Sequence, residues 1–320
     1  MVQLLLEVCP KNVTFADYLK SEVKMAEQPH KAGFVSIIGK PNVGKSTLMN
    51  VMVGEKLSII TSKAQTTRHR IMGILNSDDF QIVYSDTPGI IQPQYELHES
   101  MMRFVHASLE DADVILFVTD IYEKHDESEV VERLRKAKAP ILLLINKIDQ
   151  ATQEEVVAKV EYWKEQLPAQ EYLAISALHS QGTPGVFQKI LDLLPEHPPY
   201  YPKDELTDKP ERFFAAEMIR EKIFLNYKKE IPYSCEVVIE EFKEDDTIIR
   251  MRAEISVERK SQKGIVIGDK GAALKKVGTQ ARLDMEEFFG KKVFLDLYVR
   301  VNENWRADKR LLDRFGYNSL

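Results

Sequence analysis

The sequence predicts two domains: an α/β domain built on a mostly parallel sheet with helices on both faces, then a smaller α+β domain. Three observations carry this prediction. Strand-length apolar runs alternate with helical segments from Phe34 to about residue 195, and continuous apolar strands between helices imply a parallel sheet covered on both sides. The stretch LPEHPPYYPKDELTDKP at 194–210 then breaks the pattern with five prolines, which make an extended, stiff connector and neither a helix nor a central strand. Beyond it two strands follow one another and the helices are segregated, the mark of an α+β unit. A chain of 320 residues with 44% hydrophobic content suits two packed cores.

In chain order, FVSII at 34–38 is a buried strand leading into a glycine loop, and a helix is expected from Lys45. RIMGIL and FQIVYS flank NSDD at 76–79, a turn signal that makes them a hairpin and adds one antiparallel strand. DVILFVTD, PILLLINK and EYLAIS supply three more strands, with helices expected near 126–138, 152–167 and 184–194. After the connector come a long helix over about 211–229, the strands CEVVIEEF and TIIRMRAEISVE, a second glycine loop, a helix near 271–289 and the strand KVFLDLYVRV. An amphipathic tail, ENWRADKRLLDRF, follows. The predicted boundaries are an N-terminal extension at 1–32, domains at 33–195 and 211–320, and the linker at 196–210. The extension shows no strong period and is read as a candidate for disorder; Met25 is an alternative start.

The net charge is −6, so the whole chain is not a basic polyanion-binding protein. The charge is uneven: residues 1–210 carry −8 and 211–320 carry +2, and 259–292 holds nine basic and four acidic residues. A local basic stretch in an acidic protein points to a polyanion partner there. The bland alternative is a solvated face. Two cysteines, Cys9 and Cys235, exclude a disulfide framework or metal knuckle. No apolar run reaches the ~20 residues of a membrane span, and the N-terminus lacks the basic region of a signal peptide.

GKPNVGKST at 39–47 matches the phosphate-loop pattern after a strand and before a helix. Gly39 and Gly44 let backbone N–H groups of the loop, Asn42 and Val43 included, wrap phosphates. Lys45 reaches the β and γ phosphates, and Ser46, followed by Thr47, ligates Mg²⁺. NKID at 146–149 ends the buried strand ILLLI. Guanine presents two N–H donors where adenine presents none, and Asp149 can accept both while Asn146 and Lys147 brace the loop and base. Ser176, Ala177 and Leu178 form another strand end, where the Ala177 N–H can meet the guanine oxygen. DTPG at 86–89 sets Asp86 beside the metal shell and the Gly89 N–H toward the γ-phosphate, with Thr87 and Pro88 between. Thr67, in SKAQTTRHR, lies where a mobile loop would bring it to the metal.

Taken in order, these segments make residues 33–195 resemble a translation-factor-class GTPase domain. The resemblance implies GTP and GDP as ligands with Mg²⁺, and Lys45, Thr67 and Gly89 as the catalytic set. One departure stands out: Ile90 follows Gly89 where Ras-like proteins place a glutamine. In related GTPases with a hydrophobic residue there, the position of Asn42 ligates K⁺. Two readings of Asn42 stay open, that ligand and a cap of the loop turn.

The second glycine loop, GIVIGDKGAALKK at 264–276, lacks the spacing and Lys-Ser pair of a nucleotide loop. Its GxxG turn suits a sugar–phosphate backbone, as in KH domains. Gly268 and Gly271 remove Cβ atoms, and Lys270 and the following helix N-terminus draw phosphate beside Asp269. Gly264, Ile265 and Ile267 lie on the apolar floor for bases, and Lys263 and Lys275 flank it. A plain helix–turn–helix in a core would read much the same. The order helix, two strands, GxxG, helix, strand favours a type II KH domain.

A P-loop GTPase domain joined by a proline-rich linker to a C-terminal KH domain resembles the Era family of bacterial GTPases, over about 33–320. The resemblance implies a cytoplasmic monomer that acts in assembly of the small ribosomal subunit. It implies binding to small-subunit rRNA near its 3′ end and not to DNA, and a fraction associated peripherally with the inner membrane. The alternative is an RNA-binding assembly chaperone in which GTP is a structural ligand. A tRNA-modification GTPase would want a C-terminal cysteine and a large leading domain, and a tandem GTPase a second phosphate loop; the sequence has none of these.

Overall fold

The computed structural model describes residues 29–123 and 129–317. The N-terminal extension up to residue 28, and the first residues of the helix expected near 126–138, lie outside them. The chain divides into two compact units.

The first unit holds a six-stranded sheet of order β2-β3-β1-β4-β5-β6. Strand β1 (Lys31–Ile38) lies at its centre, parallel to β3 (Phe80–Asp86) and to β4 (Val114–Asp120). β5 (Ile141–Asn146) and β6 (Glu171–Ala174) continue the parallel run, and β2 (Ile71–Asn76) is antiparallel to β3 through the NSDD turn. Every residue of β4 and β5 is buried, which requires cover on both faces and explains why these strands read as unbroken apolar runs.

Among the described residues, helices α1 (Lys45–Val53), α2 (Glu96–Glu110, in this unit from Met102 on), α3 (Glu129–Leu134), α4 (Gln153–Gln166) and α5 (Thr183–Leu193) accompany the sheet. Trp163 of α4 meets Phe117 of β4 edge-on at 5.3 Å, and Phe187 of α5 meets Phe80 of β3 at 5.6 Å. Helix α4 starts with a capping box between Thr152 and Glu155. The sequence reading named no helix between Gly89 and β4; α2 fills that space, its Ser108 bonded to Ser36 of β1.

The proline-rich stretch is hydrogen-bonded to this unit. Tyr200 and Tyr201 N–H groups donate to Gln81 Oε1 at 2.6 and 3.0 Å, and Ile74 N donates to Leu206 O at 2.8 Å. It runs along β2, an edge strand whose backbone groups would otherwise be open to another chain.

The second unit comprises residues 209–317 with Ile59–Thr66 and Gln92–Met101. Its sheet is β7 (Glu236–Glu244), β8 (Ile248–Val257) and β9 (Lys292–Val301), antiparallel between the first two and parallel between the last. Helices α6 (Glu211–Asn226), α7 (Ile231–Ser234), α8 (Lys260–Ile267), α9 (Ala272–Phe289) and α10 (Lys309–Arg314) complete it. Alternation along β8 sends Met251, Ala253 and Ile255 into a core with Ile219, Ile223, Val277, Ala281 and Met285. Glu254, on the opposite face, is fully buried among Ser256, Tyr298, Arg300, Asn302 and Arg314. Burial opposes its charge, but those hydrogen bonds and Arg314 prevail and hold its pKa below the ordinary carboxylate value.

Candidate nucleotide site and nucleic-acid loop

The phosphate loop joins β1 to α1, so α1 presents its free N–H groups where β1 ends. Gly44 sits at φ 100°, and a Cβ there would stand 2.2 Å from Asn146 Nδ2. That close approach ties the two ends of the site together: Asn146 Nδ2 donates to Val43 O at 2.7 Å, and Asn146 Oδ1 accepts from Ala177 N at 2.9 Å. One buried amide thus joins the phosphate loop, NKID and SAL.

Around α1 the metal-type ligands converge. Ser46 Oγ donates to Asp86 Oδ2 at 2.7 Å and lies 2.9 Å from Thr67 Oγ1. Asp86 Oδ1 is buried and has no hydrogen-bond partner among the described residues. Burial pushes the Asp86 pKa up, against the pull of Lys45, Ser46, Ser58 and Thr67. Two hydroxyls and an under-satisfied buried carboxylate are hard oxygen donors, and they fit Mg²⁺, which favours all-oxygen sites with few carboxylates and completes its shell with phosphate and water. Lys45 is also buried; its Nζ donates to Lys40 O at 2.8 Å, and burial lowers its pKa to about 8, opposed by Asp86 and Glu123. Thr87 Oγ1 donates to Ile37 O at 2.9 Å and Ile90 N to Gly39 O at 3.1 Å, which sets DTPG against the phosphate loop, with Pro88 and Gly89 buried. Thr47 is half-buried in the first turn of α1.

At the base end, Asp149 Oδ1 accepts from Ser176 Oγ at 2.6 Å, and that bond leads the causes lowering its pKa. The carboxylate is therefore charged and held in place. Lys147 has φ 64° and donates to Asp120 Oδ2 at 2.6 Å. Leu178 is exposed. Asn42, at φ 66°, is exposed at the loop crest. Sequence reasoning missed Lys40, Asp120 and Glu123. An acidic residue ending a buried strand, as in VILFVTD, was the available signal, since ligands gather at strand C-termini in such sheets.

In the second unit the GxxG turn links α8 to α9. Gly268 caps α8, its N–H donating to Gly264 O at 2.9 Å, and Gly271 N donates to Gly268 O at 3.3 Å. The turn needs left-handed backbone at Gly268, Lys270 and Gly271, with φ 73°, 47° and 79°. A Cβ on Gly268 would stand 2.6 Å from Ala273 Cβ, whereas one on Gly271 meets nothing within 4 Å. Asp269, Lys270 and Lys275 are exposed and Lys263 is half-buried. Ile265 is exposed and Ile267 packs on the core, so these two isoleucines do not share one surface.

Comparison with known proteins bears on both units. Residues 34–147 match the family model described as 50S ribosome-binding GTPase, and residues 230–306 match the KH domain model. The chain is 47% identical over 292 residues to GTPase Era of Syntrophus aciditrophicus, covering 90% of this chain and 95% of that protein. It is 47% identical over 296 residues to GTPase Era of Geotalea daltonii, covering 92% and 100%. Among solved structures, Era in complex with MgGDPNP and nucleotides 1506–1542 of 16S ribosomal RNA superposes with a TM-score of 0.87 at 39% identity, over 90% of this chain and 99% of that one. A variant of Aquifex aeolicus Era bound to GDP and AlF4⁻ gives a TM-score of 0.86, also at 39% identity and with the same coverage. With identity of this order running through both the phosphate-loop unit and the KH unit, the chain belongs to the Era family of GTPases.

Proposed function

We propose that the protein hydrolyses GTP to GDP and phosphate and uses the nucleotide state to govern binding of small-subunit rRNA during assembly of the small ribosomal subunit. The observation that carries this reading is the convergence of Lys45, Ser46, Thr67 and Asp86 with Asn146, Asp149 and Ser176 in a chain that also bears the GxxG turn. The related Era structure holding MgGDPNP and a 16S rRNA segment supports it. Residues 33–195 are the GTPase domain, 196–210 the linker and 211–320 the KH domain.

Asp149 accepts the two guanine donors, with the Ala177 N–H near the guanine oxygen. Lys45, held through one N–H by the Lys40 carbonyl, directs its other N–H groups to the β and γ phosphates, which favour its charged form. Ser46, Thr67 and Asp86 would hold Mg²⁺, which neutralises charge on the β and γ oxygens when bound. The Gly89 N–H meets the γ-phosphate. Ile90 can neither donate nor accept a hydrogen bond, so it does not orient the attacking water. Asn42 would hold K⁺, which would supply positive charge near the phosphates when bound. In the KH domain Lys263, Lys270 and Lys275 meet the RNA backbone, and Ile265 contacts bases. The protein works in the cytoplasm as a monomer, with a fraction bound peripherally at the inner membrane. Among the described residues no helix is long and apolar enough to cross a membrane.

The test is turnover against binding: purified protein should release phosphate from GTP, not ATP, and a hydrolysis-deficient variant should stay on its small-subunit particle. Release of that variant at the wild-type rate would favour the chaperone reading.

A further inference from the structure

The segment Thr119–Glu123 spans the end of β4 and the turn after it, and belongs to none of the nucleotide motifs. Each of its two carboxylates nonetheless holds a lysine of the site. Asp120 Oδ2 accepts from Lys147 at 2.6 Å, and Tyr122 N donates to Asp120 Oδ1 at 3.0 Å. The Glu123 side chain is only 6% exposed, and Lys40 Nζ stands 3.2 Å from its Oε1. Thr119 Oγ1 donates to Glu123 Oε2 at 2.6 Å, and Lys159 of α4 donates to the Glu123 backbone carbonyl. Oε1 takes no aligned hydrogen bond among the described residues, so the contact with Lys40 is ionic.

The Lys40 side chain is bound by Glu123, and the Lys40 carbonyl accepts from Lys45 Nζ at 2.8 Å. One residue therefore connects a buried carboxylate to the phosphate-loop ammonium. A carboxylate this buried must be balanced, because the cost of an unpaired interior charge is large. Lys40 makes the ion pair, with Lys45 and Lys159 also within Coulombic reach of Glu123, and the pair pins the first residue after Gly39 and with it the carbonyl that aims Lys45. Lys159 fixes the same loop from α4. The arrangement cannot serve surface ion pairing alone, since one member is almost wholly covered.

We propose that Glu123 is a positioning residue for nucleotide binding, acting through Lys40 on the aim of Lys45. This rests on the GTPase reading of the site. GTP binding by the unsubstituted protein tests that reading separately.

The experiment is a double-mutant cycle with Glu123→Gln and Lys40→Met, read as the dissociation rate of a fluorescent GDP analogue by stopped flow. Each single variant should speed release about tenfold, and the double variant should be no faster than the quicker single, because the two residues act as one unit. Lys40→Arg, which keeps the charge and reach, should stay within about twofold of wild type. The maximal rate at saturating GTP should change far less than the release rate in all of them. Should Glu123→Gln fail to fold, the contrast between Lys40→Met and Lys40→Arg decides alone. Additive effects of about a hundredfold in the double variant, unchanged release in a folded single variant, or equal release from the Met and Arg variants would overturn the proposal.

Discussion

Gly271→Asp isolates the nucleic-acid loop from the rest of the molecule. Gly271 has φ 79°, and a Cβ there meets nothing within 4 Å. The folding cost is then the left-handed backbone alone, about 1–2 kcal/mol, against a stability of roughly 5–15 kcal/mol for an ordinary domain. The variant should fold. Gly268 is no substitute, since its Cβ would collide with Ala273. The aspartate would place a carboxylate at the N-terminus of α9, beside Lys270, where RNA phosphate is proposed to sit. Two like charges about 5 Å apart at an effective dielectric near 20 repel by about 3 kcal/mol. That corresponds to a loss of more than about a hundredfold in affinity. Gly271→Ala carries the same backbone strain without the charge and should lose less than about tenfold. The assay is anisotropy of a labelled RNA matching nucleotides 1506–1542, the segment bound in the related structure, alongside GTP titration and a thermal melt. A folded aspartate variant that binds this RNA as wild type does would refute the reasoning, and GTP binding should persist throughout.

The other expectations follow from the nucleotide site and the KH sheet. Asp149→Asn keeps an acceptor for Ser176 but loses the paired charge to guanine, so GTP affinity should fall by about 2–5 kcal/mol and xanthosine triphosphate should be preferred; unchanged preference in competition binding would remove the role. Lys45 titrates at about 8 in the free protein, and phosphate must raise that value. Binding at about pH 9 should therefore take up close to one proton and at about pH 7 almost none; calorimetry in buffers of different ionisation heat reads this, and equal uptake at both would contradict it. K⁺ should accelerate turnover over Na⁺ at equal ionic strength, and Asn42→Ala should abolish the difference; equal rates in the wild type would leave Asn42 as a turn cap. Glu254 has a lowered folded pKa, so its stabilisation is present above its unfolded value and is lost as pH falls through the folded one. Glu254→Gln should destabilise the second unit at neutral pH, and the gap should close in acid. Trp305 fluorescence in a Trp163→Phe background follows that unit, and a gap independent of pH would exclude the linkage.

The sequence by itself determined the two folds, the guanine preference and the type of loop in each domain. The reason is that the proposed nucleotide contacts come from short contiguous segments at strand ends, where GKPNVGKST, DTPG, NKID and SAL each carry their chemistry within a few residues. The GxxG turn is legible for the same reason, since its φ values demand glycine at two fixed places. Only the tertiary structure decided which side chains brace those segments. Lys40 and Glu123 lie 83 positions apart by their numbers, and they meet because β1 and β4 are neighbours in the sheet. The proline-rich stretch reads as a spacer, yet it lies hydrogen-bonded along β2. Glu254 is buried by partners from residues 298–314, which no local pattern in its own strand announces. Strand order and the return of distant chain segments create these contacts, and no local period or spacing encodes either.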